Sequence, residues 1–532
     1  MKFNTSQCCK KLRQIQEKTE HKTQEWLQEK DVFITAILVG LLAHGYMLTN
    51  KLANIDDYIS MFHYGLGYTL GRWLLALMGN FMFRIDGVYS TPFLNGAFFI
   101  ILLGLSITVF LKPFSFQSRW VKRIFAALFV SFPTVTCTMG FMFTVPFYAL
   151  AILFMAIAYH VLINYRYGFL FSILLICCSL GIYQAYWGLL ASFLLLYLIT
   201  LCMNDDTDVR SLVIISLKSL CSLLFGVLLY LGVNQIMLKI QNVELASYQG
   251  MSQMGQISLS QIPSIISTAY GWFFKLMTEN YLDVTSYGII RAVIAAGYIL
   301  TVIFFILSFI QNRKYVFKTV AMAVFTLIFP LAVNSIYIMS NDASNVHTMM
   351  CYSVVLVFLL PFVFLDQVTG ESLKALIAGA ARYVYLLALV LVIFFYVRLA
   401  NLYYLNLELA NSEIYTFMET LNTRIQSTED YSEDKEVLFY GMYDDVVNRN
   451  IWEVRMVSNM TGTIDVANAI NSPLIRQNIF RIYLGVTLNE TDGAAIITEY
   501  QEVLDDMPSY PDDGSIVILD DVIVVKLGEL SE

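Results

Sequence analysis

The segment LGYTLGRWLLALMGNFMF (residues 66–83) is nearly long enough to cross a bilayer, yet it carries Gly71, Arg72, Gly79 and Asn80. Whether it spans decides the direction of everything after it. Eleven other apolar runs, at 32–49, 93–111, 124–141, 143–163, 168–184, 187–203, 212–235, 289–310, 317–339, 347–365 and 383–402, lie close to the roughly 20 residues that a membrane helix needs. With the N-terminus in the cytoplasm and 66–83 left uncounted, 18 Lys and Arg fall on the inner side and 6 on the outer. Counting it as a span would put Lys112, Arg119, Lys122 and Arg123 outside, against the positive-inside rule. The segment therefore reads as an interfacial or re-entrant helix on the outer side, where protein must cover its backbone.

Composition agrees with a membrane protein. Of 532 residues, 58% are apolar and 14% charged, against about 45–50% and 25% in soluble proteins. The net charge of −8 hides a segregation: from Asn401 onward stand 24 acidic and 7 basic residues, leaving 17 acidic and 26 basic in the rest. With eleven spans, that acidic tail lies outside the cytoplasmic membrane. The expected layout is a multi-pass α-helical protein with three parts. Residues 1–30 form a cytoplasmic amphipathic segment, and 31–402 a membrane body with outer loops at 50–92 and 236–288. Residues 403–532 form a small acidic extracytoplasmic α/β domain, with a helical pattern over Leu405–Arg424, a strand at Val437–Tyr440 and a hairpin around Asp520-Asp521. The polar start argues for a first span that serves as its own insertion signal. No basic cluster sits on a soluble part, which argues against nucleic-acid binding. The eight cysteines spare the tail, so no disulfide framework holds it; Cys8-Cys9 is a lipidation pair or nothing special. Five scattered His and no CxxC or HxxxH give no metal-ligand spacing. No cofactor is implied, and a divalent metal is left open.

Ionisable groups at the membrane edge are costly and so are candidate sites. Asp56-Asp57 follows the first span directly. Two adjacent carboxylates near an apolar surface repel each other and lose solvent, which raises the pKa of at least one and suits it to take a proton from a hydroxyl. The blander reading is a solvated helix cap. Arg72, inside an apolar helix, needs an anion or snorkels to headgroups. His63 lies between these two elements. The run Gly181-Ile182-Tyr183-Gln184-Ala185-Tyr186-Trp187 sets an amide among aromatics, as a sugar-binding wall would and as an interfacial belt also would. Tyr248 and His347 complete the outer polar set.

Asp-Asp in the first outer loop, Gly71-Arg72 some fifteen residues later and Tyr183-Gln184 at the outer end of a later span together resemble the bacterial GtrII-type glucosyltransferase family of the GT-C superfamily. Tyr58-Ile59-Ser60 after the pair and Trp73 after Gly-Arg depart from the basic residue and the proline that such members tend to carry. The resemblance covers the chain to about residue 400. It implies a polyprenyl-phosphate hexose donor, with glucose as the sugar, and a cell-surface glycan acceptor on the outer face. A polyprenyl-phosphate sugar synthase and a flippase would act in the same pathway. Asp57 or Asp56 would be the general base and Arg72 would hold the donor phosphate. Tyr183, Gln184, Trp187, Tyr248, His63 and His347 would contact sugar or acceptor, with inversion at the anomeric carbon. The rival readings are a transporter or flippase of a polar or lipid-linked solute, and a polysaccharide polymerase or ligase. Transporters carry ionisable residues near the midplane on repeated halves, whereas these span interiors are nearly free of charge.

Overall fold

A computed structural model describes residues 29–60, 67–86, 91–246, 258, 260–340, 343–368, 373–444 and 455–530. The expectations for His63, Tyr248, Cys8-Cys9 and almost all of segment 1–30 lie outside the described residues. Among the described residues the chain is mostly helical, and eight helices are long and apolar enough to cross a membrane. They are α1 (Glu29–Thr49), α4 (Pro92–Leu111), α7 (Val145–Asn164), α9 (Trp187–Met203, with the one-turn lead Gln184–Tyr186), α10 (Val209–Gln241), α12 (Gly288–Gln311), α13 (Val316–Val333) and α14 (Leu373–Gln426). Between them lie α2 (Ile55–Ile59), α3 (Trp73–Asp86), α5 (Arg119–Ser131), α6 (Pro133–Met139), α8 (Gly168–Leu180) and α11 (Ile262–Lys275).

Three apolar runs depart from plain spans, each for a local reason. The run 124–141 is broken into α5 and α6 at an angle of 42°, because Pro133 lacks an N–H and Phe132 before it is extended at ψ 141°. The run 168–184 stays helical only to Leu180. Within 347–365, Thr348–Met350 and Tyr352–Phe358 are 3₁₀ turns and only Leu360–Leu365 is α-helical. In 66–83 the helix starts at Trp73 rather than Leu66, after a 3₁₀ turn over Tyr68–Leu70 and Gly71 at φ 69°. At 14 residues, α3 is about 21 Å long, short of a hydrocarbon core of about 30 Å.

One end of the bundle is stapled by a buried polar clasp. Arg382 donates to Asp366 (2.5 Å) and to Gln117 Oε1 (2.9 Å), while the Gln117 backbone N–H donates to the other Asp366 oxygen (3.0 Å). Arg382, one of the cations that the charge count places on the inner side, is 6% exposed and paired. Lys122 and Arg123 pair with Glu29 and Asp31 at the same end of α1.

Helix α14 carries the largest departure from the sequence reading. The span at 383–402 and the helical pattern at Leu405–Arg424 are one 54-residue helix, roughly 80 Å long. A boundary at 402/403 falls inside it. Leu399, Tyr403, Leu407, Ala410, Ile414, Met418, Leu421 and Ile425 are buried at spacings of three and four, one continuous helix face. Its first members pack in the membrane core and its last in the core of the C-terminal region. That region has a four-stranded sheet in the order β2-β1-β4-β3, with β1 Glu436–Tyr440, β2 Asn489–Glu490, β3 Ile516–Leu519 and β4 Val522–Lys526. Strand β1 runs parallel to β2 and β4, and β3 is antiparallel to β4. Asp520 and Asp521 both lie at positive φ (44° and 68°), which fits a two-residue hairpin whose turn must follow the strand twist. Helices α15 (Val466–Asn471), α16 (Pro473–Ile479) and α17 (Ala494–Asp506) accompany the sheet.

Candidate functional site

The Asp pair sits on α2, a five-residue helix separated from the end of α1 by five residues. Asn54 starts it with a capping box: its side chain accepts from the Asp57 N–H (2.8 Å), and Asp57 accepts from the Asn54 N–H (3.1 Å). Asn54 Nδ2 also donates to the Gly140 carbonyl (2.9 Å), which ties α2 to the end of α6. This fixes the two carboxylates differently. Asp57 is 8% exposed and accepts backbone N–H groups from Asn54 and Phe143. Burial pushes its pKa up to about 7, against the pull of Lys51, while Asp56 adds to the rise. Asp56 is exposed, yet protein surrounds enough of it that lost solvation raises its carboxyl, and the positive charge of Arg72 opposes that rise.

Because the folded chain holds the Asp57 proton more tightly than the unfolded chain, stability must fall as pH rises from the ordinary carboxylate range to about 7. Asp57→Asn keeps an acceptor for the Asn54 N–H and removes that charge. Thermal unfolding in detergent should show the variant gaining on the native protein between pH 5 and pH 8, by roughly 2–5 °C. A gap that stays constant across that range would contradict the buried placement of Asp57.

Arg72 is carried by the turn that precedes α3, and the Tyr-Gln run holds that turn in place. Gln184 Nε2 donates to the Leu70 carbonyl (3.0 Å) and to the Tyr230 hydroxyl (3.0 Å), and Tyr230 in turn donates to the Gly71 carbonyl (3.1 Å). The Gly181 carbonyl accepts the N–H groups of Leu74 (2.8 Å) and Leu75 (3.2 Å), so the early end of α8 caps the start of α3. A Cβ at Gly181 would lie 2.5 Å from the Trp73 ring; the close approach requires glycine. The Thr69 carbonyl accepts the Ala246 N–H (2.9 Å), which brings in the second outer loop. Two motifs more than a hundred residues apart are therefore one structure.

The guanidinium of Arg72 lies over the Tyr183 ring, 5.0 Å from its centre, and donates to the Tyr148 hydroxyl (3.3 Å). Tyr148, Tyr183, Tyr186 and Tyr352 form a chain of ring contacts beneath it. His347 stands close enough that Arg72 joins burial in lowering its pKa to about 4, so the imidazole is neutral. Its Nδ1 is 3.2 Å from Thr461 Oγ1 of the C-terminal region. The structure thus groups Asp56, Asp57, Arg72, Tyr183 and His347. Gln184 is engaged in fixing the turn, and the Trp187 indole N–H reaches the Leu223 carbonyl on α10 (3.5 Å). Tyr148, Tyr230 and Thr461 are members that the sequence gives no means to single out; a tyrosine in an apolar span looks like any other. Asn54 was legible, three residues before an acid at a helix start. Among the described residues, no three of His, Cys, Asp and Glu lie together as metal ligands.

The helical body thus sets a carboxylate pair, a guanidinium and a group of aromatic rings close together. The family model described as glucosyl transferase GtrII matches residues 45–358, and the chain belongs to that family of glycosyltransferases. No curated protein and no solved structure matches it. The matched stretch contains Asp56, Asp57, Arg72, Tyr183, Gln184 and His347; the whole of α14 and the sheet region lie beyond it.

Proposed function

We propose that this protein is a GT-C-type transferase that moves glucose from a polyprenyl-phosphate donor to a hydroxyl of a cell-surface glycan, on the outer face of the cytoplasmic membrane and with inversion. The observation that supports it most is a reachable, partly dehydrated Asp56 within electrostatic reach of Arg72, whose guanidinium is held over the Tyr183 ring. Of the two carboxylates, Asp56 is the better base, because Asp57 is buried and bonded by the backbone that forms α2. In the free protein Arg72 weakens Asp56 as a base. A donor phosphate at Arg72 takes up that positive charge, so the basicity of Asp56 rises when the donor is in place.

In the displacement, the acceptor O–H bond breaks and its proton goes to Asp56. The acceptor oxygen bonds to the anomeric carbon, and the C–O bond to the phosphate breaks with its electron pair leaving on the polyprenyl phosphate. Arg72 stabilises the charge that grows there, in a site where low polarity strengthens the interaction. A phosphate is a weak base and needs no proton to leave. Tyr183 and Tyr148 hold the guanidinium in place, and neutral His347 offers the acceptor or the sugar a hydrogen-bonding group without adding charge. If the three interrupted runs cross together with the eight long helices, the C-terminal region and the Asp pair share the outer face, and a lipid-linked donor must be made and delivered to that face by other membrane activities.

The donor class is the test. Purified protein in vesicles is expected to consume polyprenyl-phosphate glucose and to leave a soluble nucleotide glucose untouched. Consumption of the nucleotide sugar alone would overturn the proposal.

A further inference from the structure

Helix α2 is too short to stand alone: a helix of five residues leaves nearly all its end groups without internal partners. What holds it comes largely from beyond the family match. Asn478, on α16 and 5% exposed, donates to the Tyr58 carbonyl at the C-terminal end of α2 (2.7 Å). Asn411, on the outer half of α14, donates to the Ala53 carbonyl (2.9 Å) and accepts the Ala53 N–H (3.3 Å). The Tyr58 hydroxyl donates to Asn411 and lies 3.0 Å from the Tyr415 hydroxyl. Tyr58 is fully buried in the same cluster as Ile414, Ile475, Ile479 and Phe480, which makes α2 part of the C-terminal core.

A second anchor fixes that region to the membrane body. Gly462 is at φ 92°, and a Cβ there would lie 2.5 Å from the Tyr403 hydroxyl and 3.0 Å from Phe141. The Tyr403 hydroxyl donates to the Thr461 carbonyl (3.0 Å). Gly140, the residue whose carbonyl receives Asn54, also packs on that hydroxyl, at 2.3 Å from its ideal Cβ.

We infer that the C-terminal region is a working part of the transferase: it clamps the Asp56-Asp57 helix against the membrane body, with Asn478 as a positioning residue and Gly462 as the seat of the clamp. The inference rests on the reading of Asp56 as the base. Its far side held by the C-terminal core and its near side by Gly140 and Phe143, α2 keeps Asp56 facing Arg72 at a fixed depth. Displacement by about 1 Å at a reacting group can cost on the order of 100-fold in rate.

Loss of the clamp must also resolvate the carboxylates. The charged groups facing them, Lys51 and Arg72, belong to the same loop and remain in the variants; Arg476 on α16 is paired with Glu490. Full-length Asn478→Leu and, separately, Gly462→Val are to be assayed in vesicles with polyprenyl-phosphate glucose across pH 4–9. The expected result is a rate about 10- to 100-fold lower, with the acid limb of the rate profile moved to lower pH as the carboxyls return toward their ordinary range. A merely less stable protein would lose rate with the acid limb in its original place, and that result in either variant, or an unchanged rate, would overturn the clamp. Asp56→Asn run alongside separates the two readings. If it is inactive while both clamp variants keep the native limb, only the clamp is wrong; if it is fully active, the base assignment has failed and the clamp with it.

Discussion

Asp56→Asn is expected to lower sugar transfer by about 10²–10⁴-fold, the usual loss when a positioned general base is removed. The protein should remain folded and inserted, because Asp56 is exposed and its side chain takes no part in the capping box of α2. Asp57→Asn should be milder in rate, since asparagine can still accept the Asn54 N–H. The two variants must also differ in pH dependence. The native profile should lose activity toward acid at a pH above the ordinary carboxylate range, because burial raises Asp56. Asp57, pushed up to about 7, is already protonated over the range in which Asp56 titrates, so Asp57→Asn should leave that limb in place, whereas Asp56→Asn should abolish it. Initial rates of glucose release from the lipid donor between pH 4 and pH 9 check both statements. Equal losses in the two variants, with no difference in the limb, would contradict the division of labour between the carboxylates.

The second large effect is at Arg72. Arg72→Ala should cost roughly 10²–10³-fold in turnover at saturating donor, the range found for removal of a group that stabilises developing oxyanion charge. Arg72→Lys should keep part of the activity, because an ammonium supplies the charge but neither the planar fork nor the stacking on the Tyr183 ring. If Arg72 served only as an anchor to lipid headgroups, both variants would turn over normally. Its position argues otherwise, since Gln184, Tyr230 and Gly181 all hold the turn that carries it.

Most of the membrane body could be read from the sequence because its signal is long-range and additive: twenty apolar residues in a row have few other physical meanings. Breaks within the runs were less legible. Pro133 foretells the bend between α5 and α6, but nothing in 168–184 announces that α8 stops at Leu180 to let the Gly181 carbonyl cap α3. That contact depends on a partner a hundred residues away. The unity of α14 was hidden for a different reason: its hydropathy drops where it leaves the bilayer, whereas the helical burial pattern runs on unbroken through Tyr403, Leu407, Ala410 and Ile414. At the site, chemistry-bearing residue types at the membrane edge were legible one by one. Their grouping was only suggested by family resemblance. The part of Asn411 and Asn478 could not be seen at all, because an asparagine bonding a distant backbone leaves no local pattern.

The anomeric configuration of the first-formed product tests the central claim most directly. Direct displacement by an acceptor hydroxyl activated at Asp56 requires that the glycosidic bond formed have the opposite configuration to the sugar–phosphate bond broken. Proton NMR of product formed by the purified, reconstituted protein from a polyprenyl-phosphate glucose of known configuration should therefore show inversion, with no sugar attached to the protein, and Asp56→Asn should give little product of either configuration. Retention, accompanied by a glucosyl ester on Asp56 or Asp57, would contradict the account.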